Sequence, residues 1–476
     1  DRGFEAFAVR GGVPVLLPDA VAPRPGERPG ARRIPAPRTG ALGALRYRRF
    51  RRYSAGVLFS LIGNWIEASA FGYVVLLLGG SAATLGLIGF LNSIPNLIFG
   101  LPAGALADRY DRRKLIFIFQ GLNMIVAASL ALLWATGTLS VLTMGALAVV
   151  GGTLGTLSFP AFQGMLASMV PKEELESAVA VNSLSLQVAR FIGPAIAGYL
   201  LATAGPTAVF SANAASFFAV LGVVALLPTS RTVVSNAASR LGGAMSDGVR
   251  YVFSSRSMAS LMLLMLFAGL FATPPVAFML PGIVRFQLDA GAATLGLLTA
   301  FIGLGSVLGS VWLLLLSRRP NKGEPALIAY FVTAIAIAAI GVSTSVPLSF
   351  ALGLVGGLCG VVFIGISTVV VQAMSSDEMR ARAMAVWAAA FVGMLPFGAL
   401  ITAGLAAWLG AGGAVLVDGL ATLVGGLVVV LTRPEVTWLG CAALPEACVA
   451  ATDPAAMAFE AEPALAAGVG APTERA

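Results

Sequence analysis

Two ionisable side chains lie deep inside long apolar runs, Glu67 in "LIGNWIEASAF" (61–71) and Arg190 in "QVARFIGPAIA" (187–197). Each is about 13 residues into its run, roughly 20 Å deep at 1.5 Å per helical residue. An unpaired charge at the middle of a bilayer costs at least about 3 kcal/mol, so each must face a cavity or a partner. A carboxyl in such a place can take up and release a proton, because burial disfavours its charged form. An arginine there can attract an anionic substrate or hold the carboxyl ionised. The plainer alternative is a structural Glu67–Arg190 pair bracing the first half of the chain. Asn64, Trp65, Asn182 and Gln187 share these runs and are candidates to line the same cleft, with hydrogen bonds between helices as the competing role. Asp418 lies nearer the end of the last apolar run, where a structural hydrogen bond is the expected role.

A second constellation is short and charged: "GALADRYDRR" (104–113), with Gly104, Asp108, Arg109, Arg112 and Arg113. A carboxylate is stabilised at a helix N-terminus, and an Arg–carboxylate pair has a geometry that can be made and broken. A small glycine lets two helices approach closely. The competing reading is a basic loop that only sets topology, but such a loop has no need of Asp108 between Gly104 and Arg109. "SSDEMRAR" (375–382) supplies a second charged loop, with Asp377, Arg380 and Arg382 as gate contacts. "GSVWLLLLSRRP" (309–320) keeps Gly309, Arg318 and Arg319 but has no acid, so one half alone carries the complete latch.

Other chemistry is missing from the chain. It has no histidine, no cysteine spacing of a metal site and no G-x-x-x-x-G-K-[ST] phosphate loop. We therefore expect no metal, no cofactor and no catalysis. Cys359 lies in an apolar run and Cys441 and Cys448 in the tail; the tail pair is given no function.

Of the 476 residues, 58% are hydrophobic and 11% charged, where a soluble domain carries about a quarter charged. Apolar runs long enough to cross hydrocarbon as helices fall near 54–78, 84–106, 115–136, 140–168, 176–203 and 206–227. They resume near 259–285, 293–316, 325–343, 346–373, 383–409 and 413–432. The spacing predicts an all-α membrane protein of twelve helices in two sets of six. The net charge of +8 does not point to nucleic acid, because the basic residues gather before Tyr53 and in alternate loops. Apart from Arg285 after the seventh run, the opposite loops carry no Lys or Arg, which places both termini in the cytoplasm.

The halves repeat at an offset of 205: Met169 meets Met374, "AVAV" (178–181) meets "AMAV" (383–386), Gly193 meets Gly398 and Asn213 meets Asp418. Two related bundles around one cleft follow. We divide the chain into a basic Pro/Gly-rich extension expected to be disordered (1–45), a first bundle (46–228), a linker (229–258), a second bundle (259–432) and a tail expected to be disordered (433–476). Leu241, Met245, Val249, Val252 and Phe253 fall at helical spacing in the linker, as for an amphipathic helix in the cytoplasmic membrane interface. Pro274 and Pro275 predict a bent or broken seventh helix.

The motif Gly100, Gly104, Asp108, Arg109, Arg112 and Arg113 resembles the signature of the major facilitator superfamily. The resemblance implies that Asp108 caps a neighbouring helix and pairs with arginine across a cytoplasmic gate. "RFIGPAIAGYL" (190–200) resembles the glycine–proline element of the superfamily's antiporters through Gly193, Pro194 and Gly198, and so implies export. The stretch 159–201, with Pro160, Ala161, Gln163, Val170, Pro171, Leu175, Ala178, Asn182 and Ser183, is similar to the branch of enterobactin exporters and secretion permeases. Two departures stand out: the first run has Asn64 where that branch often has an acid, and the fourth lacks the arginine common in drug–proton antiporters.

The reading is a monomeric secondary transporter of the bacterial cytoplasmic membrane, working by alternating access. Its partners would be a small-molecule substrate, protons and lipid. Proton-coupled efflux of a small amphipathic compound, a drug or a siderophore-like metabolite, leads. Proton-coupled uptake or uniport stands second, and a non-transporting membrane receptor or scaffold is the alternative of another class.

Overall fold

The computed structural model describes residues 9–10, 13–14, 42–227, 241–316 and 321–438. The chain divides into two compact units, 1–40 and 41–476. Within the first, Val9–Arg10 and Val13–Pro14 form an antiparallel pair. The remainder of the extension, most of the linker ahead of residue 241, Arg318, Arg319, and the tail with Cys441 and Cys448 lie outside the described residues, and so does the expected disorder of the tail beyond residue 438.

In the second unit the first six helices are α1 (Arg48–Leu77), α2 (Ala82–Arg109), α3 (Arg112–Ala135), α4 (Val141–Ser168), α5 (Leu175–Thr203) and α6 (Gly205–Ala225). Their starts are chemically marked. Ser81 with Thr84 and Ser140 with Thr143 form reciprocal capping boxes, which satisfy amide groups that a helix cannot pair internally.

The linker contains α7 (Leu241–Ser254). It docks on the second bundle: Val252 is fully buried, and the Tyr251 hydroxyl accepts from the Ser376 amide at 3.1 Å. Val249 and Phe253 remain exposed.

The second bundle comprises α8 (Arg256–Gln287), α9 (Ala292–Leu316), α10 (Gly323–Val342), α11 (Val346–Met374), α12 (Arg380–Phe391) and α13 (Leu395–Thr432). α8 stays continuous at Pro274 and Pro275 but widens into π turns at Ala268–Ala272, Pro275–Met279 and Ile283–Gln287. Proline has no N–H to give, so the helix shifts its bonding pattern there instead of breaking.

Eleven runs are long and apolar enough to cross a membrane, and the last, Arg380–Thr432, has 53 residues. At 1.5 Å per residue it would span about 80 Å, more than two hydrocarbon thicknesses. Gly410, at φ 72° and ψ 179°, splits it in two, a conformation that a side chain would oppose. Among the described residues the count is therefore twelve crossings, in a multi-pass membrane protein.

The loops that carry the arginines share one end of the molecule, here called the basic end. Three hydrophobic clusters show how the halves meet. One belongs to residues 44–227 and contains Phe50, Ile116 and Met165; another belongs to residues 252–436 and contains Met262, Phe363 and Val370. These two occupy the basic end and do not merge. The third mixes both bundles, with Val74, Leu85 and Phe210 packed among Met279, Ile283 and Leu298. The bundles are joined at the opposite end and parted at the basic end.

Candidate functional site

α2 packs on α13, and α5 packs on α9. Small residues make these contacts tight: a Cβ on Gly198 would lie 2.8 Å from the Gly296 Cα, and one on Gly86 would lie 2.6 Å from the Ala403 Cβ. The inter-bundle contacts reach inward as far as Gln187, whose amide donates to Ser306 O at 3.2 Å and Ser310 Oγ at 3.0 Å. Beyond them lies a cavity of about 820 Å³ with walls from both bundles.

Glu67 and Arg190 both line this cavity, and no other Asp, Glu, Lys or Arg does. Glu67 sits ten residues before Leu77, about 15 Å from that end of α1, and Arg190 thirteen residues before Thr203, about 20 Å along α5. They do not pair with each other. Glu67 Oε2 accepts from Asn213 Nδ2 of α6 at 2.6 Å, and the Ser216 hydroxyl in turn donates to Asn213 Oδ1 at 3.2 Å. Gly63 makes room for this: any Cβ there would collide with the Ser216 hydroxyl. Arg190 lies under the Trp65 ring, 5.5 Å from its centroid, and has no ion pair or hydrogen bond among the described residues.

Asn64 and Trp65 line the cavity as expected, whereas Asn182 and Gln187 are not among its lining residues. Gln187 spends its amide on α9, and Asn182 lies only seven residues from the basic end of α5. Asn92, Gln120 and Asn123 do line the cavity and were missed from sequence. Their signal was an amide inside an apolar run. Gln120 Oε1 is buried with no partner. Asn213 was noticed only as the repeat mate of Asp418, although a mid-helix asparagine is itself a candidate partner for a buried acid.

Gly193 and Pro194 are both buried in α5. A Cβ on Gly193 would lie 2.5 Å from the Trp65 Cβ, so Gly193 is the seat on which Trp65 rests beside Arg190. Asp418, fully buried, accepts from Thr402 Oγ1 at 2.6 Å, a structural bond of the kind expected.

At the basic end the gate motif is in pieces. Asp108 and Arg109 are exposed; Asp108 has no partner among the described residues, and Arg109 lies over its neighbour Tyr110. The residue that caps a helix is Asp111, which accepts from the Arg113 amide at the start of α3 at 2.9 Å, and not Asp108. Arg112 donates to Gly164 O at 2.9 Å and Arg113 to Ala225 O, so both bracket α3 within its own bundle. The physical reason is the parting of the bundles, which leaves Asp108 nothing to meet. In the second loop Arg380 pairs with Asp377 at 2.8 Å, and Arg382 with Asp247 of α7 at 3.2 Å.

Residues 39–443 match the family model described as a transmembrane secretion effector. The staphyloferrin A transporter of Staphylococcus aureus is 32% identical over 170 residues, 35% of this chain and 42% of that protein. The multidrug efflux pump Tap of Mycolicibacterium fortuitum is 24% identical over 72% of this chain and 86% of its own length. The enterobactin exporter EntS of Citrobacter koseri is 26% identical over 70% and 79%. Among solved structures, a D-xylose-proton symporter aligns with a TM-score of 0.64 at 16% identity, covering 83% of this chain and 99% of that one. A bacterial homolog of the human lysosomal transporter Spinster, inward-facing and unoccupied, gives 0.63 at 14% identity, covering 82% and 96%.

Proposed function

The chain belongs to the transmembrane secretion effector family of major facilitator transporters, and on that premise we propose that it exports a small amphipathic compound by exchanging it for protons. The observation that carries this reading is the cavity between two bundles joined at one end, with Glu67 at its wall. In this reading the basic end faces the cytoplasm of a bacterial cell, by the preference of arginine for that side, and the monomer keeps both termini there. Substrate enters from the cytoplasm into an apolar cleft with a few amide groups, the composition that suits a drug or a siderophore-like metabolite. The names of two relatives, an efflux pump and an enterobactin exporter, support the same direction.

The exchange follows from geometry. Closure at the basic end would bring Asp108 toward the second bundle, where a carboxylate can meet arginine and hold the outward-facing state. Asp377, Arg380 and Arg382 would close the same face through the second loop. The contacts at Gly198 and Gly86 would then part, opening the site to the other side. Glu67 is the proton carrier: Asn213 holds its carboxylate by a charge-assisted bond when the proton has left.

The test is flux in proteoliposomes over a compound panel, with an imposed pH gradient. Wild type should drive export against a substrate gradient, and Glu67→Gln should exchange substrate but lose the response to pH. If the neutral variant responds to every imposed gradient as wild type does, Glu67 is not the coupling residue.

A further inference from the structure

Arg190 is the one basic side chain lining the cavity, and no acid among the described residues pairs with it. The acid on the same wall is engaged elsewhere, by Asn213 at 2.6 Å. A guanidinium carries five N–H donors and no acceptor, and here none of them has a partner among the described residues. While the cavity is open at the basic end, water can serve those donors. When the bundles close around a substrate that water is expelled, and an unmatched guanidinium in a dry site is strongly unfavourable.

The surroundings are built to present this group rather than hide it. Gly193, one turn along α5, gives Trp65 its seat, and the indole covers one face of the guanidinium at 5.5 Å. A Cβ on Gly303 of α9 would lie 2.6 Å from Arg190 O, so the facing helix presses on the backbone of α5. Arg190 lines the cavity, next to apolar and aromatic walls. Gln120 adds an unpartnered buried acceptor to the same cavity.

We propose that Arg190 and Trp65 form an anion subsite, and that the exported compound is an amphipathic carboxylate whose charged end lies on Arg190 and whose apolar body lies along the cavity. A planar carboxylate matches the guanidinium fork with two parallel hydrogen bonds. The proposal rests on the transport reading above and names the substrate class of its site.

The experiment is equilibrium binding to the purified full chain in lipid nanodiscs, with two radiolabelled probes of one shape, 1-naphthoate and 1-naphthalenemethanol. Wild type should bind the carboxylate about tenfold or more tightly than the alcohol, the range of a charge-assisted hydrogen bond. Arg190→Gln should lose that preference while binding the alcohol within about twofold of wild type, and Arg190→Lys should restore part of it. Equal binding of the two probes by wild type overturns the proposal. So does an Arg190→Gln variant that keeps the preference, or one that loses both probes alike, since that marks a structural role. The two readings fail separately. Charge-selective binding with no flux of any compound in vesicles leaves the subsite standing and removes transport. Flux confined to neutral or cationic compounds does the reverse.

Discussion

Gly198→Ala should shift the balance between the two ends of the cavity. Gly198 of α5 and Gly296 of α9 meet backbone to backbone where the bundles are joined, and a Cβ at position 198 would stand 2.8 Å from the Gly296 Cα. Carbon atoms in ordinary contact are about 3.5–4.0 Å apart, so the helices must separate by about 1 Å. Overpacking of this kind costs about 1–3 kcal/mol. The cost applies only to the state in which this end is shut, so it is a differential term between two conformations. A difference of that size changes their ratio by about 5–150-fold. The assay is alkylation of one cysteine at Thr299, which lines the cavity, after Cys359, Cys441 and Cys448 are replaced by serine. A membrane-impermeant maleimide is added to either face of sealed vesicles. The variant should be labelled more slowly than its parent from the basic end and faster from the opposite end. Gly222→Ala, where an added Cβ meets nothing within 4 Å, should match the parent on both faces. Unchanged rates for Gly198→Ala refute the reasoning, because the contact would then not be part of a switch. Faster labelling from both faces refutes it too, since that marks a generally loosened protein.

Thr402→Val removes the donor to the fully buried Asp418, and thermal unfolding in detergent should show a loss of about 1–3 kcal/mol. Asp418→Asn, which keeps an acceptor for Thr402, should lose less; the reverse order would show that the bond is not what stabilises the site. Gly357→Ala or Gly305→Ala drives a methyl into a carbonyl of the facing helix, Ile302 O or Leu354 O, and either should reduce the monodisperse yield on size exclusion far more than Gly121→Ala, which meets nothing within 4 Å. Outside the membrane, Glu435's own backbone amide and then Arg256, whose Nη1 is 3.4 Å away, hold its carboxyl below the usual glutamate range. That stabilisation is present above the unfolded value of about 4.3 and is lost as pH falls through the folded value. The melting midpoint of wild type should therefore fall more than that of Arg256→Gln between pH of about 5 and 3, by a small amount because the pair is exposed.

The helices were legible because hydrocarbon imposes length and polarity on every crossing, and each one observed falls close to an apolar run of the sequence. The break at Gly410 was legible as a pause in hydropathy near 410–412. What composition could not give was partnership. Glu67 and Arg190 have matching charge and similar depth, which makes a pair between them the simplest guess, yet α6 supplies Asn213 to the acid and leaves the base to Trp65. Which face of a helix a residue occupies inside a bundle depends on the packing of neighbours. For α1 that packing is decided by Gly63 against Ser216 and by Gly193 against Trp65. The gate expectation fared differently: Asp108 was expected to pair with arginine, and it stands exposed where the two bundles are parted.

The repeat explains why chemistry concentrates in one half. At the offset of 205, Trp65 corresponds to Leu270, Glu67 to Ala272, Gly193 to Gly398 and Asn213 to Asp418. The packing is kept: Gly193 sits on Ile62 and Trp65, and Gly398 sits on Leu270 and Pro274. The polar groups are redistributed. In the first half the acid is on the first helix and reaches the cavity; in the second its counterpart is alanine, and the acid has moved to the last helix, where it is sealed from solvent and tied to Thr402. Two bundles of one design can rock about a common axis only if both keep their close helix contacts, and the matched pair Gly193 and Gly398 keeps one such contact in each. Charge is under no such symmetry. In the exchange proposed above, one ionisable carboxyl and one arginine at the cavity wall serve the substrate and the proton, and a second exposed pair in the facing bundle would add desolvation at each closure without adding a ligand.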